Sequence, residues 1–547
     1  MKTTRRDLIK TFAALPLVRL SRAEPEVILF NGLIHTMHTG QPEATAVAIA
    51  DGRILAVGAD REVLAMAGKN TRRIDLGRHR VLPGFNDAHA HPWASGLNQL
   101  KQVACDKSSI EAILAALRAR AAATRKGQWV QGFLYDDGKT PRPLTRADLD
   151  SAAPDNPVIV THRGGHTAYV NSLALTQAGV TAATPNPAGG RFEHGPDGEL
   201  NGRVADAAMA MVANKIHEES SRDDHRRAIA LISKMYASYG VTSCCDADAT
   251  PDALQGYQDA REAGELKYRA YCHMDVLYLD RYIEAGLHTG FGDSMVRIGG
   301  IKQYSDGSIS ERTAWLADPY VGIPNYYGVE SGTRESLYAN SRKAWLAGFQ
   351  LATHANGERA IDRMLGIYEQ LQREAPRRDP RFRLEHCTVV TPELVSRMQA
   401  VGAIPIPFAG YVNFHGDVMH FYGDERMKRM FAYRWFIDAG LSAPTASDYT
   451  ASPPSPMLWL YSMTTRKDPT GHLWGGEQRV TLPEAVRAAT LNGAHASFEE
   501  HDKGTIETGK LADIVVLEED PFTAPVEHWQ DIKVQRTMLG GRWVFEA

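Results

Sequence analysis

The chain has little of what would support a disulfide scaffold, a membrane span or a nucleic-acid surface. Its 547 residues include only five cysteines, two of them adjacent, and buried reduced thiols are their expected state. No apolar run approaches the length of a spanning helix. The 61 Lys and Arg residues nearly balance the 65 Asp and Glu residues, so the net charge of −4 gives no reason to expect nucleic-acid binding.

Length and composition favour a soluble enzyme of two or three domains. Hydrophobic residues make up 43% of the chain and charged residues 23%, which is ordinary for a globular protein. A chain of this length exceeds what one small core supports. The sequence contains no internal repeat and no low-complexity tract, so a solenoid or a disordered scaffold is not expected.

The N-terminus has the pattern of an export signal. Thr4-Arg5-Arg6-Asp7 leads into a modest apolar run that ends at Leu20 and is interrupted by Arg19. This pattern predicts a twin-arginine signal peptide over 1–23, with the export machinery as a partner and a periplasmic or secreted location. The alternative is a basic tail on a cytoplasmic protein.

The sequence patterns at both ends of the remaining chain predict short strands. Turn pairs Asn31-Gly32 and Asp51-Gly52 separate apolar runs near the beginning, and 514–517 and 542–545 repeat the pattern near the end. Two strand-rich ends so far apart predict one small β-sandwich domain, formed from 24–80 together with 500–547.

Between these ends, strands alternate with helical segments. Helical spacing of apolar residues is clearest over 358–374. The strand candidates are 81–89, 241–247, 267–274, 296–305, 349–354, 382–387, 402–408 and 443–448. Eight such units predict an α/β fold, a TIM-like (β/α)₈ barrel over 81–499. The segment 97–240 is too long for one crossover and is predicted to be a large insertion after the first barrel strand.

His89 and His91 end the first barrel strand candidate. Alternate residues of a strand point to the same face, so both imidazoles can reach one metal ion. Imidazole nitrogen suits zinc and similar metals. Two histidines at this spacing are more often incidental, so the pair needs support from the rest of the chain.

That support comes from four other strand ends. Lys302 lies near the end of the fourth candidate, and His354, His386 and Asp448 end the fifth, sixth and eighth. Barrel enzymes place their chemistry at the carboxyl ends of strands. Alone, each residue has a structural explanation, such as a buried histidine or a helix-capping aspartate. Six residues at five strand ends favour one shared site.

The order of these residues resembles the amidohydrolase superfamily. The stretch Pro83 to His91 and the stretch Gly509 to Asp513 are similar to its start and end signatures. Lys302 followed by Asp306-Gly307-Ser308, and the insertion with Gly165-His166, resemble its family-3, YtcJ-like branch. The chain departs from that branch at Gly164, where an aspartate is frequent, and at Ile406, where a glutamine is frequent.

The resemblance implies a metal-dependent hydrolase. Its metal ligands would be His89, His91, Lys302, His354 and His386, around one or two divalent ions, with zinc expected. A lysine ammonium has no free lone pair, so Lys302 would be deprotonated or carboxylated to a carbamate bridging two ions. Asp448 would be the catalytic proton carrier. His166 and Asp306 would bind substrate.

The expected reaction is hydrolysis of a carbon–nitrogen bond in a non-peptide amide or N-acyl compound. The same site would suit an ester or lactone hydrolase or a deaminase, and a non-catalytic exported metal- or ligand-binding protein is a remoter alternative. The expected partner is a small-molecule substrate. Neither nucleic acid nor a membrane span is expected, and assembly into a homo-oligomer stays open.

Overall fold

A computed structural model describes residues 24–216 and 220–547 of the chain. The predicted signal peptide over 1–23 lies outside the described residues. The strands in chain order are β1 Val27–Phe30, β2 Leu33–His35, β3 Glu43–Ala44, β4 Ala46–Ala50, β5 Arg53–Gly58, β6 Arg72–Asp75, β7 Arg80–Pro83, β8 Phe85–Ala90, β9 Val103–Ala104, β10 Val130–Tyr135, β11 Val158–His162, β12 Thr167–Val170, β13 Gly190–His194, β14 Leu200–Asp206, β15 Val241–Ala249, β16 Arg269–Asp275, β17 Val296–Tyr304, β18 Leu351–Ala355, β19 Phe382–His386, β20 Ala403–Ile406, β21 Ile514–Leu517, β22 Val534–Leu539 and β23 Arg542–Glu546.

Helices follow most of these strands. In chain order the α-helices are α1 Asp60–Leu64, α2 Pro92–Lys101, α3 Ile110–Ala123, α4 Arg146–Ala152, α5 Ser172–Ala178, α6 Ala207–Ala213, α7 Arg222–Ser238, α8 Pro251–Glu262, α9 Leu279–Glu284, α10 Arg334–Leu346, α11 Glu358–Glu374, α12 Pro392–Val401, α13 Tyr411–His415, α14 Asp424–Met427, α15 Tyr433–Asp438, α16 Pro456–Thr465, α17 Leu482–Ala488 and α18 Leu491–Ala496.

The central layer is a curled sheet of seven parallel strands in the order β8-β15-β16-β17-β18-β19-β20. The segment 443–448 lies between the two edges of this sheet. Ala446 forms a parallel bridge with Phe408, while the N–H of Ala88 donates to the carbonyl of Thr445. The sheet therefore closes as a TIM-like barrel, which confirms the predicted fold class.

The first and eighth strand candidates differ from the prediction. The candidate over 81–89 is two strands, because Gly84 separates β7, which joins another sheet, from β8, which begins the barrel. A Cβ atom at Gly84 would lie 2.1 Å from Oγ1 of Thr242, so the chain can make this crossing only with glycine. The eighth candidate forms the bridge at Ala446 instead of a regular strand, and Pro444 has no N–H to contribute to a ladder.

Helices on the outside cover the barrel through their apolar faces. The predicted helix over 358–374 is confirmed as α11, which buries Ile361, Met364 and Leu365 completely. Burying side chains of this size contributes about 1.5–3 kcal/mol each. Within the described residues, no helix is both long and apolar enough to cross a bilayer.

Two further sheets combine the beginning and the end of the described chain. One has the order β5-β4-β1-β6, and the other has the order β23-β22-β21-β7-β2-β3. Their facing side chains form one apolar core that includes Leu29, Val47, Ile514 and Met538. Asp51 and Gly52 both have positive φ and make the tight turn between β4 and β5, as the sequence pattern predicts.

A six-stranded sheet in the order β13-β14-β12-β11-β10-β9 lies between α2 and α7 in the chain, within the predicted insertion. Its apolar side chains pack with α3, α4, α5 and α6 in two small cores of their own. The loop after β11 carries Arg163, Gly164, Gly165 and His166 to the barrel, where these four residues line the cavity described next.

Candidate active site

The barrel strands bring the six predicted site residues together around one cavity of about 310 Å³. His91, Lys302, His354, His386 and Asp448 line this cavity. His89 lies directly beneath them and is completely buried. The ring centre of His386 is 4.6 Å from that of His89 and 4.5 Å from that of His354. We call these six residues the barrel cluster.

His89, His91 and Asp448 form the tightest part of the barrel cluster. Oδ1 of Asp448 lies 3.5 Å from Nε2 of His89 and 3.1 Å from Nε2 of His91. One potential ligand atom from each of the three residues lies within 4.8 Å of the others, which is close enough for all three to reach one ion. The N–H of Asp448 also donates to the carbonyl of His89, which fixes the end of the eighth segment beside β8.

Three imidazoles of the barrel cluster are neutral. Burial lowers the pKa of His89, His354 and His386 well below the ordinary value. His91 differs, because the carboxylate of Asp448 raises its pKa against the effect of burial. A neutral imidazole keeps a nitrogen lone pair, and this is the form that binds a metal ion.

The unpaired polar atoms of the cluster also fit a metal. Nε2 of His89, Nδ1 of His386 and Oδ1 of Asp448 are buried and make no hydrogen bond with any described residue. Leaving such atoms buried without a partner costs free energy, so orphaned atoms at one place indicate a missing partner. Imidazole and carboxylate donors are the set that zinc and related divalent ions take. The barrel cluster therefore fits a divalent metal.

Lys302 lies on β17 with only 1% of its surface exposed. Its Nζ atom is 4.6 Å from the ring centre of Tyr304, and no carboxylate among the described residues forms an ion pair with it. An isolated ammonium at such a position would be costly. Its position in the cavity fits the predicted ligand set, and the carbamate stays a prediction.

Glu385 and Arg383 support His89, and neither residue was predicted from the sequence. Oε2 of Glu385 accepts a hydrogen bond from Nδ1 of His89, and Nε of Arg383 lies 2.7 Å from Oε1 of Glu385. This hydrogen bond places the proton on Nδ1 and turns the lone pair of Nε2 toward the cluster, as carboxylates behind metal-binding histidines do. Their spacing in the sequence could have indicated this role, because residues 383 and 385 lie on the same face of β19.

Two residues of the cluster have unusual backbone geometry. His386 has φ of 69° and Asp448 has φ of 52°, both in the left-handed region that L residues rarely adopt. In a regular strand, His386 would point away from the face that Glu385 occupies. The positive φ at the strand end turns its imidazole into the cavity. Strain of this kind concentrates at functional sites.

Asp306 and His166 were predicted to bind substrate, and the structure places them differently. The carboxylate of Asp306 accepts N–H donors from Trp315, Asn356 and Gly357, and it does not line the cavity. It anchors the loop after β17 against the end of β18, and contact with substrate stays a prediction. His166 does line the cavity, and its Nδ1 atom is 2.9 Å from Oδ1 of Asp206.

A second group of buried charged residues lies beside the cavity. Asp136 and Asp137 follow β10, His162 ends β11, Arg163 comes next, and Glu311 belongs to the loop after β17. We call these five residues the insertion cluster. Ligand atoms of Asp136, Asp137 and His162 also lie within 4.8 Å of one another. This group was not predicted from the sequence.

The insertion cluster is a network of ion pairs. Nδ1 of His162 is 3.2 Å from Oε1 of Glu311, and its Nε2 is 3.4 Å from Oδ1 of Asp137. Burial alone would lower the pKa of His162, but the two carboxylates raise it to about 9. The pKa of Glu311 falls to about 2, because His162 and His166 outweigh its burial. A protonated His162 has no lone pair for a metal ion.

Buried neutral histidines and a carboxylate at the carboxyl ends of barrel strands define the class: a metal-dependent hydrolase. The family model described as "Amidohydrolase family" matches residues 72–545. The chain belongs to this family, and it is a hydrolase acting on carbon–nitrogen bonds, as the sequence analysis predicted.

Relatives of similar length support this assignment. The chain is 28% identical to N-substituted formamide deformylase of Arthrobacter pascens, over 94% of this chain and 97% of the relative. It is 28% identical to the putative amidohydrolase YtcJ of Bacillus subtilis (strain 168), over 95% and 99%. It is also 28% identical to Protein LONG AFTER FAR-RED 3 of Arabidopsis thaliana, over 95% and 91%.

A solved structure shows the same fold. An uncharacterized metal-dependent hydrolase from Pyrococcus horikoshii OT3 superposes with a TM-score of 0.74 at 23% identity, covering 92% of this chain and 99% of the other.

At Gly164, the departure from the YtcJ-like pattern has a steric counterpart. A Cβ atom there would lie 2.6 Å from Oε2 of Glu311, so that carboxylate occupies the space a side chain would need.

Proposed function

We propose that the protein hydrolyses a non-peptide amide or N-acyl bond of a small molecule in the cavity above the barrel cluster. The observation that carries this proposal is the set of neutral, orphaned imidazoles beside Asp448 at the strand ends. The cavity of about 310 Å³ is at the lower end of the range for small-molecule sites. The relative named N-substituted formamide deformylase makes N-substituted formamides a reasonable first substrate class.

His89, His91, Lys302, His354 and His386 would hold one or two divalent ions, with zinc suited to these donors. When bound, such an ion polarises a carbonyl oxygen and lowers the pKa of a water molecule. Glu385 keeps the proton of His89 on Nδ1 through its hydrogen bond, and Arg383 holds Glu385 in place. Phe408 stacks on His386 with ring centres 4.5 Å apart and excludes water from that side.

Asp448 would move the proton. Its carboxylate lines the cavity and lies at hydrogen-bond distance from Nε2 of His91. During hydrolysis water adds to the carbonyl carbon, Asp448 accepts the proton that water loses, and the leaving nitrogen takes that proton as the carbon–nitrogen bond breaks. The products are a carboxylic acid and an amine.

Metal analysis followed by substrate assays tests this proposal. We expect at least one divalent ion per chain, and amine release from N-formyl-2-phenylethylamine that is lost in His91→Ala but kept in the exposed-histidine control His528→Ala. Phenyl acetate and an ammonia assay with adenine test the ester-hydrolase and deaminase alternatives. Bound metal without cleavage of any of these compounds would favour a binding protein instead.

We also propose that the protein is exported by the twin-arginine route. The motif Thr4-Arg5-Arg6-Asp7 and the apolar run after it support this location. Replacing Arg5 and Arg6 with lysine should leave the protein in the cytoplasm. The same location for the variant and the wild type in cell fractionation would instead favour a basic tail.

A further inference from the structure

The loop after β11 places the cationic Arg163 and the imidazole of His166 on the wall of the cavity. Arg163 and His166 line it together with the barrel cluster. The side chain of Arg163 is 10% exposed and that of His166 is 15% exposed, so both are largely withdrawn from bulk solvent. In the described part of the chain, the only carboxylate that lines this cavity is Asp448. The loop wall of the cavity is therefore positive.

The guanidinium of Arg163 contacts protein groups through Nε and Nη1, and its Nη2 atom has no such contact within the described chain. Its Nε atom is 3.1 Å from Oδ2 of Asp136, which does not line the cavity, and Nη1 donates to the carbonyl of Ala451 at 3.3 Å. The guanidinium also lies over the ring of Phe414, 5.1 Å from its centre. Nη2 makes no hydrogen bond with a described residue. These contacts fix the plane of the guanidinium and leave a donor for a ligand.

His166 is arranged in the same way. Its Nδ1 atom pairs with Asp206, and its N–H donates to the carboxylate of Glu311. Its Nε2 atom makes no hydrogen bond with a described residue, and its ring centre is 5.0 Å from that of His354. His166 thus places the Nε2 edge of its imidazole between Arg163 and the barrel cluster.

Apolar side chains occupy another part of the same cavity. Phe408 and Tyr411 both line it, with ring centres 4.8 Å apart. In a ligand that fills the cavity, the reacting carbonyl would lie beside the histidines. An apolar group would contact these two rings, and an anionic group would contact the loop wall. Guanidinium groups bind carboxylates through paired, charge-assisted hydrogen bonds.

We propose that Arg163, with His166 beside it, binds a carboxylate of the substrate, so that the substrate class is an N-acylated amino acid with an apolar side chain. This inference rests on the proposed amide hydrolysis and makes it more specific. Arg163 is a specificity-determining residue in this scheme, and it takes no part in the transfer of protons.

The test compares two amides that differ in one group. N-formylphenylalanine, as both enantiomers, carries a carboxylate that N-formyl-2-phenylethylamine lacks. Hydrogen bonds to a charged group at a buried site predict that kcat/KM for the better enantiomer exceeds that of the neutral amide by about 10- to 100-fold. Arg163→Met should reduce this ratio to near one. The matched control Arg222→Met removes an exposed arginine that pairs with Asp259, and it should keep the ratio.

A second variant keeps the test valid if Arg163→Met folds poorly. Removing the arginine takes the guanidinium away from the buried Asp136, so the double variant Arg163→Met/Asp136→Asn removes both charges together. It should show the same loss of preference. Equal kcat/KM for the two amides in the wild type would overturn the inference, as would an undiminished ratio in a folded Arg163 variant.

A calorimetric titration of the metal-loaded protein with 3-phenylpropionate separates this inference from the proposed function. We expect binding in the wild type that weakens at least about 10-fold in Arg163→Met. Binding that survives in Arg163→Met but disappears in His91→Ala would place the carboxylate on the metal and overturn the inference. If no amide is cleaved, the proposed reaction fails, and the titration still decides whether Arg163 binds a carboxylate.

Discussion

The barrel cluster and the insertion cluster contain the same kinds of side chain but have opposite electrostatics. Both place histidine and aspartate atoms within 4.8 Å of one another. In the barrel cluster, burial keeps His89, His354 and His386 neutral. In the insertion cluster, Glu311 and Asp137 raise the pKa of His162 to about 9. The charges around a histidine, more than its distance from a carboxylate, decide whether it can bind a metal.

The supporting residues explain this difference. Glu385 lies behind His89 at Nδ1, Arg383 offsets the charge of Glu385, and Asp448 lies 3.5 Å from Nε2. His162 lies between two carboxylates, with Glu311 3.2 Å from Nδ1 and Asp137 3.4 Å from Nε2. The neutral His89 keeps a lone pair on Nε2, whereas a protonated His162 has no lone pair to offer a metal ion.

Removing a histidine from each cluster should give the largest contrast. His89→Ala is expected to lower metal affinity by at least about 100-fold and to abolish activity, because it removes a direct ligand. His162→Ala should keep its metal and lose stability instead. Metal content by mass spectrometry and the unfolding temperature measure both effects. A loss of metal in His162→Ala would place an ion in the insertion cluster and would contradict the difference in metal binding between the two clusters.

Asp448→Asn tests the carboxylate of the barrel cluster. We expect kcat to fall by roughly 10²–10⁴-fold, since an amide cannot accept the proton. The unfolding temperature should change little, because the backbone N–H of residue 448 still donates to His89. The matched control is Asp438→Asn, an exposed aspartate that pairs with Arg434. A well-folded Asp448→Asn protein with near-normal kcat would exclude Asp448 as the proton carrier.

Glu385→Gln and Glu311→Gln compare the two supporting carboxylates. Glu385→Gln should weaken metal binding by about 10- to 100-fold, because His89 loses the charged acceptor that fixes its proton on Nδ1. Glu311→Gln should leave metal affinity unchanged. Titration with a competing chelator measures both. Equal affinities for the wild type and Glu385→Gln would show that this hydrogen bond does not tune the site.

The smallest expected effect is the pH dependence of the insertion cluster. The pKa of His162 is raised from 6.5 to about 9, so its contribution to stability is full below pH 6.5 and is lost as the pH rises through 9. The lowered pKa of Glu311 keeps its own contribution present above pH 4.5. Glu311→Gln should therefore reduce the unfolding temperature by roughly 2–4 °C at pH 6 and by clearly less at pH 9.5.

Calorimetry or thermal fluorescence at the two pH values checks this result. The glutamine at position 311 still accepts the N–H of Thr167, so the variant removes charge while keeping a hydrogen-bond acceptor. A difference that is the same at both pH values would show that Glu311 acts through hydrogen bonds alone. The network of ion pairs would then not be the correct description of the insertion cluster.

The sequence predicted the parts of the fold that depend on local pattern. The fourth strand candidate, 296–305, corresponds to Val296–Tyr304, and the predicted helix over 358–374 is Glu358–Glu374. The split of the first candidate at Gly84 could not be predicted, since it depends on the approach of Thr242 from a distant strand. In the eighth segment, tertiary closure of the barrel outweighs weak strand propensity around Pro444.

The site was predictable where strand ends supply the ligands, and less so elsewhere. The residues at the ends of β8, β17, β18 and β19 meet at one cavity because parallel strands end at the same edge. Strand alternation alone would have excluded His386, which reaches the cavity through its positive φ. The pairing of His162 with Glu311 joins two distant loops, and no local pattern in the chain indicates it.

The pairing of β7 with β21 has a consequence for how the chain folds. Val81 and Val516 are neighbours in an interior part of the sheet, although almost the whole barrel lies between them in the chain. A ribosome releases β7 and β8 long before β21. The strand β7, which leads into β8 and His89, therefore cannot pair with β21 until synthesis is nearly complete. Such a high contact order favours slow folding. A chain shortened before residue 514 would leave β7 as an open edge beside the first barrel strand, exposed to pairing with other chains.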